Sequence, residues 1–141
     1  MTASETPRPT TVRLQNVAQS YGQSAALMAA VELGVFTAIS EGAGTYEEVA
    51  DKLALHPTNA ERLIVLLNAA GLTEVVDGRL ANAADTERFL VEGKPGYMGP
   101  WITFTKPQWN EWGRLADHLR VTDLKDLGSI GDITVDDARR Y

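Results

Sequence analysis

Apolar residues recur at helical spacing over most of this chain and alternate in only one short stretch. Between Thr10 and Leu33, the residues Leu14, Val17, Ala18, Tyr21, Ala25 and Met28 fall three or four positions apart, which is the stripe of a single helix face. That spacing predicts one long helix. Its second half, Ala25-Ala-Leu-Met-Ala-Ala-Val31, is apolar all round, as in a helix covered on every side. A small domain offers such a helix one face of its own core. The other face then calls for a partner, and the alanines allow a second backbone to come close. A central core helix explains the same pattern. Gly34 ends the helix, Val35 to Ser40 reads as a short one, and Glu41-Gly-Ala-Gly44 as a turn, because it follows a helix and not a strand.

The segment from Thr45 to Asn82 carries the densest set of local signals. Thr45 followed by Glu48 is a capping box, in which each side chain satisfies an orphan backbone N–H. Val49, Ala50, Leu53 and Ala54 continue at helical spacing until Leu55-His56-Pro57 breaks the helix. Thr58 and Glu61 read as a second capping box, with Leu63, Ile64, Leu66, Leu67 and Ala70 as the buried face. Gly71 suits the left-handed position after a helix. Asp77-Gly78 between two short runs predicts a type I′ hairpin, whose turn needs positive φ at both central residues. Helix, turn, helix and hairpin in that order give a fold that is mainly α with a small β-hairpin, a winged-helix-like helical domain.

Beyond the hairpin, Ala84 to Val91 reads as a short helix with Asp85 and Glu87 in its first turn. Gly93-Lys-Pro-Gly96 interrupts the chain. Two helices are expected from Tyr97 to Thr105 and from Pro107 to Arg120, with Pro107 at a first helical position. Tyr97, Trp101, Phe104, Trp109 and Trp112 crowd this region, and indoles suit pockets that are partly wet. Trp101, Phe104 and Trp109 are candidate ligand-pocket residues; packing of the helix pair onto the domain is the competing explanation. Trp112, with Leu115 and Leu119 at compatible spacing, reads as a packing residue. The expected organisation is a flexible arm over 1–9, a domain over 10–120, and a linker with an interrupted helix over 121–141.

Charge changes the picture of what a winged helix would do here. The chain has 141 residues and a net charge of −6. Between Thr45 and Asn82, six acids face three bases, Lys52, Arg62 and Arg79. A DNA reader needs the opposite sign. No nucleic acid is expected as a partner, although an acidic winged-helix regulator or protein-interaction module remains the alternative. The absence of cysteine excludes disulfides and thiolate metal sites. Met1 to Pro9 lacks the apolar core of a signal peptide. The run Ala25 to Val31 falls short of the roughly 20 residues of a membrane span, so a cytoplasmic location and no membrane partner are expected. His56 reads as a solvated turn residue and His118 as a cation welcome near a helix C-terminus. Asp136-Asp137 and Glu47-Glu48 are capping acids, since adjacent residues on a helix do not face each other. No catalytic, cofactor-binding or metal-ligating constellation is found.

Four stretches taken together carry a family resemblance: Ala29-Ala-Val-Glu-Leu-Gly-Val-Phe36; Thr45-Tyr-Glu-Glu-Val-Ala50; Ala60-Glu-Arg-Leu-Ile-Val-Leu-Leu-Asn-Ala-Ala-Gly-Leu72; and Trp109-Asn-Glu-Trp-Gly-Arg-Leu115. In that order they resemble the N-terminal region of S-adenosylmethionine-dependent small-molecule O-methyltransferases, of the plant caffeic-acid and bacterial natural-product types. The resemblance implies a winged-helix-like dimerisation domain that clasps a second subunit and walls the pocket of a small aromatic acceptor. It implies a homodimer, for which Leu14, Val17, Tyr21, Ala25 and Met28 are the candidate interface residues. The family's cofactor and its catalytic histidine sit on a Rossmann-like domain that follows. Here no glycine-rich strand–loop–helix appears before Tyr141; Leu127-Gly-Ser-Ile-Gly131 lacks both the strand and the helix. The chain is therefore expected to bind no cofactor and to be inactive alone. S-adenosylmethionine is implied for a domain in cis or for a separate subunit. The two histories this leaves are a fragment of a longer enzyme and a standalone subunit of a split methyltransferase.

Overall fold

Left-handed residues set the helix ends, and those ends set the path of the chain. In the computed structural model, which describes residues 8–120, Val12–Gln19 (α1) is followed by Tyr21–Leu33 (α2), and Gly34 closes α2 at φ 76°. Val35–Ser40 (α3), Tyr46–Leu53 (α4) and Pro57–Ala69 (α5) follow. Thr73–Val76 (β1) and Arg79–Asn82 (β2) pair antiparallel, with Thr73 opposite Asn82 and Val76 opposite Arg79. The chain continues through Ala84–Phe89 (α6), Gly99–Thr103 (α7), a 3₁₀ turn at Lys106–Gln108, Trp109–Gly113 (α8) and Leu115–His118 (α9). The fold is mostly helical with one two-stranded hairpin, as the sequence predicts. Residues 1–7 of the arm expected over 1–9, and the linker with its interrupted helix over 121–141, lie outside the described residues.

The hairpin and the end of α5 follow their local signals closely. Asp77 and Gly78 sit at φ 50° and 77°, the pair of positive values a type I′ turn requires. After α5, Gly71 takes φ 72°, its N–H bonds Asn68 O and the Leu72 N–H bonds Leu67 O at 2.9 Å. This is the Schellman pattern. The threonine Oγ1 of Thr73 also donates to Asn68 Oδ1, tying the first strand to the helix before it.

Helix boundaries differ from the sequence pattern in several places. The helix expected from Tyr97 to Thr105 is only Gly99–Thr103, and the one expected from Pro107 to Arg120 is a 3₁₀ turn followed by α8 and α9. Three further differences have a local reason. The single helix expected from Thr10 is two helices that meet at Ser20. The Ser20 hydroxyl donates to Val17 O at 2.8 Å and its N–H bonds the same carbonyl at 3.3 Å, a three-residue turn that interrupts the helical bonding there. The second capping box does not form: Pro57 starts α5 with His56 as the N-cap, so Thr58 lies inside the helix. Pro57 presets the helical φ, and its missing N–H is one that the helix start leaves unpaired anyway. Ala54 is not part of the α4 face. It adopts φ 53° and ends the helix, with the Leu55 N–H on Ala50 O at 2.9 Å.

One apolar cluster joins these elements. Phe36, Ile64, Leu67, Val35 and Val49 are its fully buried large side chains, joined by Ala26, Ala30, Leu80, Leu90 and Val91. Leu66 stands exposed on the other side of α5; the burial expected of it falls to Ile64 and Leu67. The all-round apolar stretch of α2 is covered by the chain itself, which packs α5 and α7 against it. Met28 is therefore only 8% exposed, so it offers a second subunit almost no surface. That removes it from the candidate interface and gives α2 the role of a central core helix.

Polar clasps hold the periphery. Glu48 completes the first capping box in altered form: Thr45 Oγ1 accepts from the Glu48 N–H at 3.1 Å, while the Glu48 carboxylate accepts from the Gly44 N–H at 2.6 Å and from Arg79 at 3.0 Å. The Gly44 N–H chiefly holds Glu48 below its ordinary pKa of 4.5, with Arg79 adding to it. Glu87 is a second hub, accepting from Ser40 at 2.6 Å, from Asn82 at 2.6 Å and from Lys94.

Candidate functional site

An open concavity of about 730 Å³ lies between the start of α2 and α8. From α2 come Tyr21, Ser24 and Ala25; from α8 come Trp109, Asn110, Trp112 and Gly113. Residues three and four apart on a helix share a face, which is why Tyr21 aligns with Ser24 and Ala25, and Trp109 with Trp112 and Gly113. Lys106 fixes the approach of the two helices. Its Nζ reaches both carboxylate oxygens of Glu32, at 2.7 and 2.6 Å, and so ties the turn before α8 to the end of α2. The surface offered is mostly apolar, with Ser24 and Asn110 as neutral polar groups.

The residues expected in this region are divided by the structure. Trp109 lines the concavity, together with Tyr21 and Ala25, which the sequence assigned to a subunit interface. Trp101 and Phe104 are elsewhere: they stack on one another on and beside α7, with centroids 5.7 Å apart and planes 3° from parallel. Trp101 stays 63% exposed. Trp112, expected to pack against Leu115 and Leu119, is instead 57% exposed and lines the concavity. The reason is that α8 ends at Gly113; Arg114 leaves helical geometry at φ −106°, ψ 16°, so the periodicity that would align Trp112 with Leu115 is broken. The three-residue spacing of Trp109 and Trp112 was the available signal for their shared role.

Next to the concavity, α1 is an amphipathic helix with no buried residue. Leu14 and Val17 lie bare on its surface, and Val17 is 64% exposed; Tyr21, at the rim of the concavity, reaches 74%. Leu14, Val17 and Tyr21 thus form an uncovered apolar stripe that runs into the aromatic concavity.

The remaining candidates have structural roles. His118, in the last turn of α9, is buried, and its Nε2 lies 2.7 Å from Glu111 Oε2. The approach is off the direction of a hydrogen bond, which leaves Nε2 without such a partner among the described residues. His56 is an exposed N-cap. Among the described residues, no three His, Asp or Glu side chains converge on a metal-sized site, and no helix is long and apolar enough to cross a membrane.

The glycine turn over 41–44 lacks the preceding strand that an adenosyl loop needs. The loop over 41–44 follows a helix, and the space that a Cβ would need at Gly44 is taken by the Arg79 guanidinium. Arg79 Nη2 also bonds Gly42 O at 3.0 Å. The same contacts occupy the one cation of the hairpin, which leaves none there for a phosphate.

Comparison with known proteins gives this geometry a context. Residues 15–91 match the family model of the O-methyltransferase dimerisation domain. The 3-hydroxy-5-methyl-1-naphthoate 3-O-methyltransferase of Streptomyces sahachiroi is 35% identical over 100 residues, which are 68% of this chain and 29% of the relative. The N,N-dimethyltransferase OxyT of Streptomyces rimosus is 34% identical over 109 residues, 76% of this chain and 31% of the relative. Among solved structures, an O-methyltransferase family protein from Burkholderia thailandensis is 31% identical with a TM-score of 0.68, covering 83% of this chain and 35% of that one. The chain thus spans about a third of the length of the relatives it matches. With the family model spanning more than half of its length and both natural-product relatives above 30% identity, the chain belongs to the O-methyltransferase dimerisation domain family.

Proposed function

We propose that this chain serves as the dimerisation and acceptor-wall part of an S-adenosylmethionine-dependent methyltransferase of small-molecule metabolism. Two copies join through α1 and the start of α2, and the concavity between α2 and α8 forms one wall of the acceptor pocket. The observation that carries this reading is the apolar stripe Leu14–Val17–Tyr21, bare in the single chain and continuous with the aromatic concavity. An exposed apolar stripe of this kind marks a surface that another protein covers. S-adenosylmethionine is held by a Rossmann-like domain in cis or on a separate subunit; the match to the dimerisation family supports this reading, and the glycine turn over 41–44 follows a helix and carries the Arg79 guanidinium. The acceptor is a small aromatic molecule. The names of the relatives include both an oxygen and a nitrogen as the methylated atom, so the family alone does not choose between them.

Sedimentation equilibrium at micromolar concentration tests the reading. A dimer is expected, and a clean monomer across that range overturns it. In parallel, calorimetry with S-adenosylmethionine should give no heat of binding to this chain; micromolar affinity would overturn the placement of the cofactor elsewhere.

A further inference from the structure

We infer that the concavity between α2 and α8 selects an organic cation, a substituted ammonium group carried on an aromatic framework. The inference rests on the reading of that concavity as an acceptor wall and adds a charge preference to it. Tyr21, Trp109 and Trp112 line one space of about 730 Å³, within the range of about 300–1,000 Å³ that suits a small organic ligand. The face of an aromatic ring is electron-rich and attracts cations, tryptophan most strongly.

Among the described residues, no cation lies over those faces. None of the lining residues is Lys, Arg or His. Lys106, close by in the chain, is committed to both oxygens of Glu32. Arg114 follows Gly113 directly but is exposed and does not line the space. A carboxylate entering here would lose water and gain no counter-charge, which is costly. An ammonium would trade water for ring faces, in the field of a chain whose net charge is −6. Ser24 and Asn110 add neutral hydrogen-bonding groups that serve an amine N–H.

The test compares three probes that share one ring system: (1-naphthylmethyl)trimethylammonium, 1-naphthylmethanol and 1-naphthylacetate. They are titrated into the ¹⁵N-labelled full chain, whose three tryptophans give three indole N–H signals. The signals of Trp109 and Trp112 should shift, and that of Trp101, which lies outside the concavity, should not. The cation should bind about fivefold or more tightly than the alcohol, with the acetate weakest. Trp112→Leu, at an exposed position the fold tolerates, should bring the cation-to-alcohol ratio toward one while weakening the alcohol less. Equal binding of cation and alcohol, or tightest binding of the acetate, overturns the charge preference and leaves the acceptor wall standing. If no probe moves the Trp109 and Trp112 signals, both the preference and the acceptor wall fall.

Discussion

Asn82 Nδ2 donates to the carbonyl oxygen of Phe36 at 2.8 Å, across 46 positions of sequence. The same amide group donates to Glu87 Oε2 at 2.6 Å. One buried side chain at the end of β2 therefore fixes the hairpin to α3 and to α6 at once. Replacing it by alanine strands a buried carbonyl and one acceptor of Glu87, so Asn82→Ala should destabilise the chain by about 1–3 kcal/mol. Urea unfolding at neutral pH measures this; a change within a few tenths of a kcal/mol would mean that the hairpin is held otherwise.

Thr86 presents the opposite case. It is 2% exposed, and its hydroxyl has no hydrogen-bond partner among the described residues. Removing an unpaired buried polar group while keeping its shape is favourable. Thr86→Val should therefore stabilise the chain by up to about 1 kcal/mol, seen as a higher urea midpoint with an unchanged slope. A loss of stability would show that the hydroxyl is bonded in solution.

Ala54 holds a left-handed conformation that costs a residue with a Cβ about 1–2 kcal/mol. Glycine relieves that cost, although it frees the unfolded chain somewhat. Ala54→Gly should raise stability by about 0.5–1 kcal/mol net, while Ala54→Val should lower it. The ordering Gly above Ala above Val in thermal midpoint is the check.

Glu87 sets a pH response. Burial pushes its pKa up, but the hydrogen bonds from Lys94, Ser40 and Asn82 outweigh it and leave the group below its ordinary value of 4.5. A carboxyl with a depressed folded-state pKa stabilises the fold above its unfolded value and loses that contribution as pH falls through the folded value. Glu48 adds to the same trend. Stability should fall as the solution is acidified below about pH 4.5, and Glu87→Gln should flatten that slope. An identical slope in the variant would assign the acid response to other groups.

Val17, bare on α1, separates assembly from folding. Val17→Glu places a charge on the stripe without touching the core, so the chain should keep its core and its urea midpoint at low concentration while sedimenting as a monomer. A variant that still dimerises would move the contact away from α1.

The local punctuation of this fold was open to reading because each signal acts within a few residues. Pro57, Gly34, Gly71 and Asp77-Gly78 sit where their backbone preferences require. What escaped depends on neighbours distant in sequence. Nothing in residues 25–31 announces that α5 and α7 cover them, so a core helix and an interface helix look alike there. The break at Gly113 decides whether Trp112 packs inward or faces the concavity, and glycine in a short helix allows both. The Arg79–Glu48 contact spans 31 positions and has no local signature. Of the aromatic candidates, Trp109 lines the concavity, while Trp101 and Phe104 stack on one another outside it, an arrangement their spacing in sequence does not announce.

The eight residues of α1 bury nothing, and a helix of two turns is marginal in water when nothing packs against it. Its order is thus borrowed from whatever covers it. Dilution should then melt these turns before it touches the core, so far-ultraviolet dichroism at 222 nm should track protein concentration. The affinity of the contact will be tempered by the entropy of winding that segment anew at each encounter.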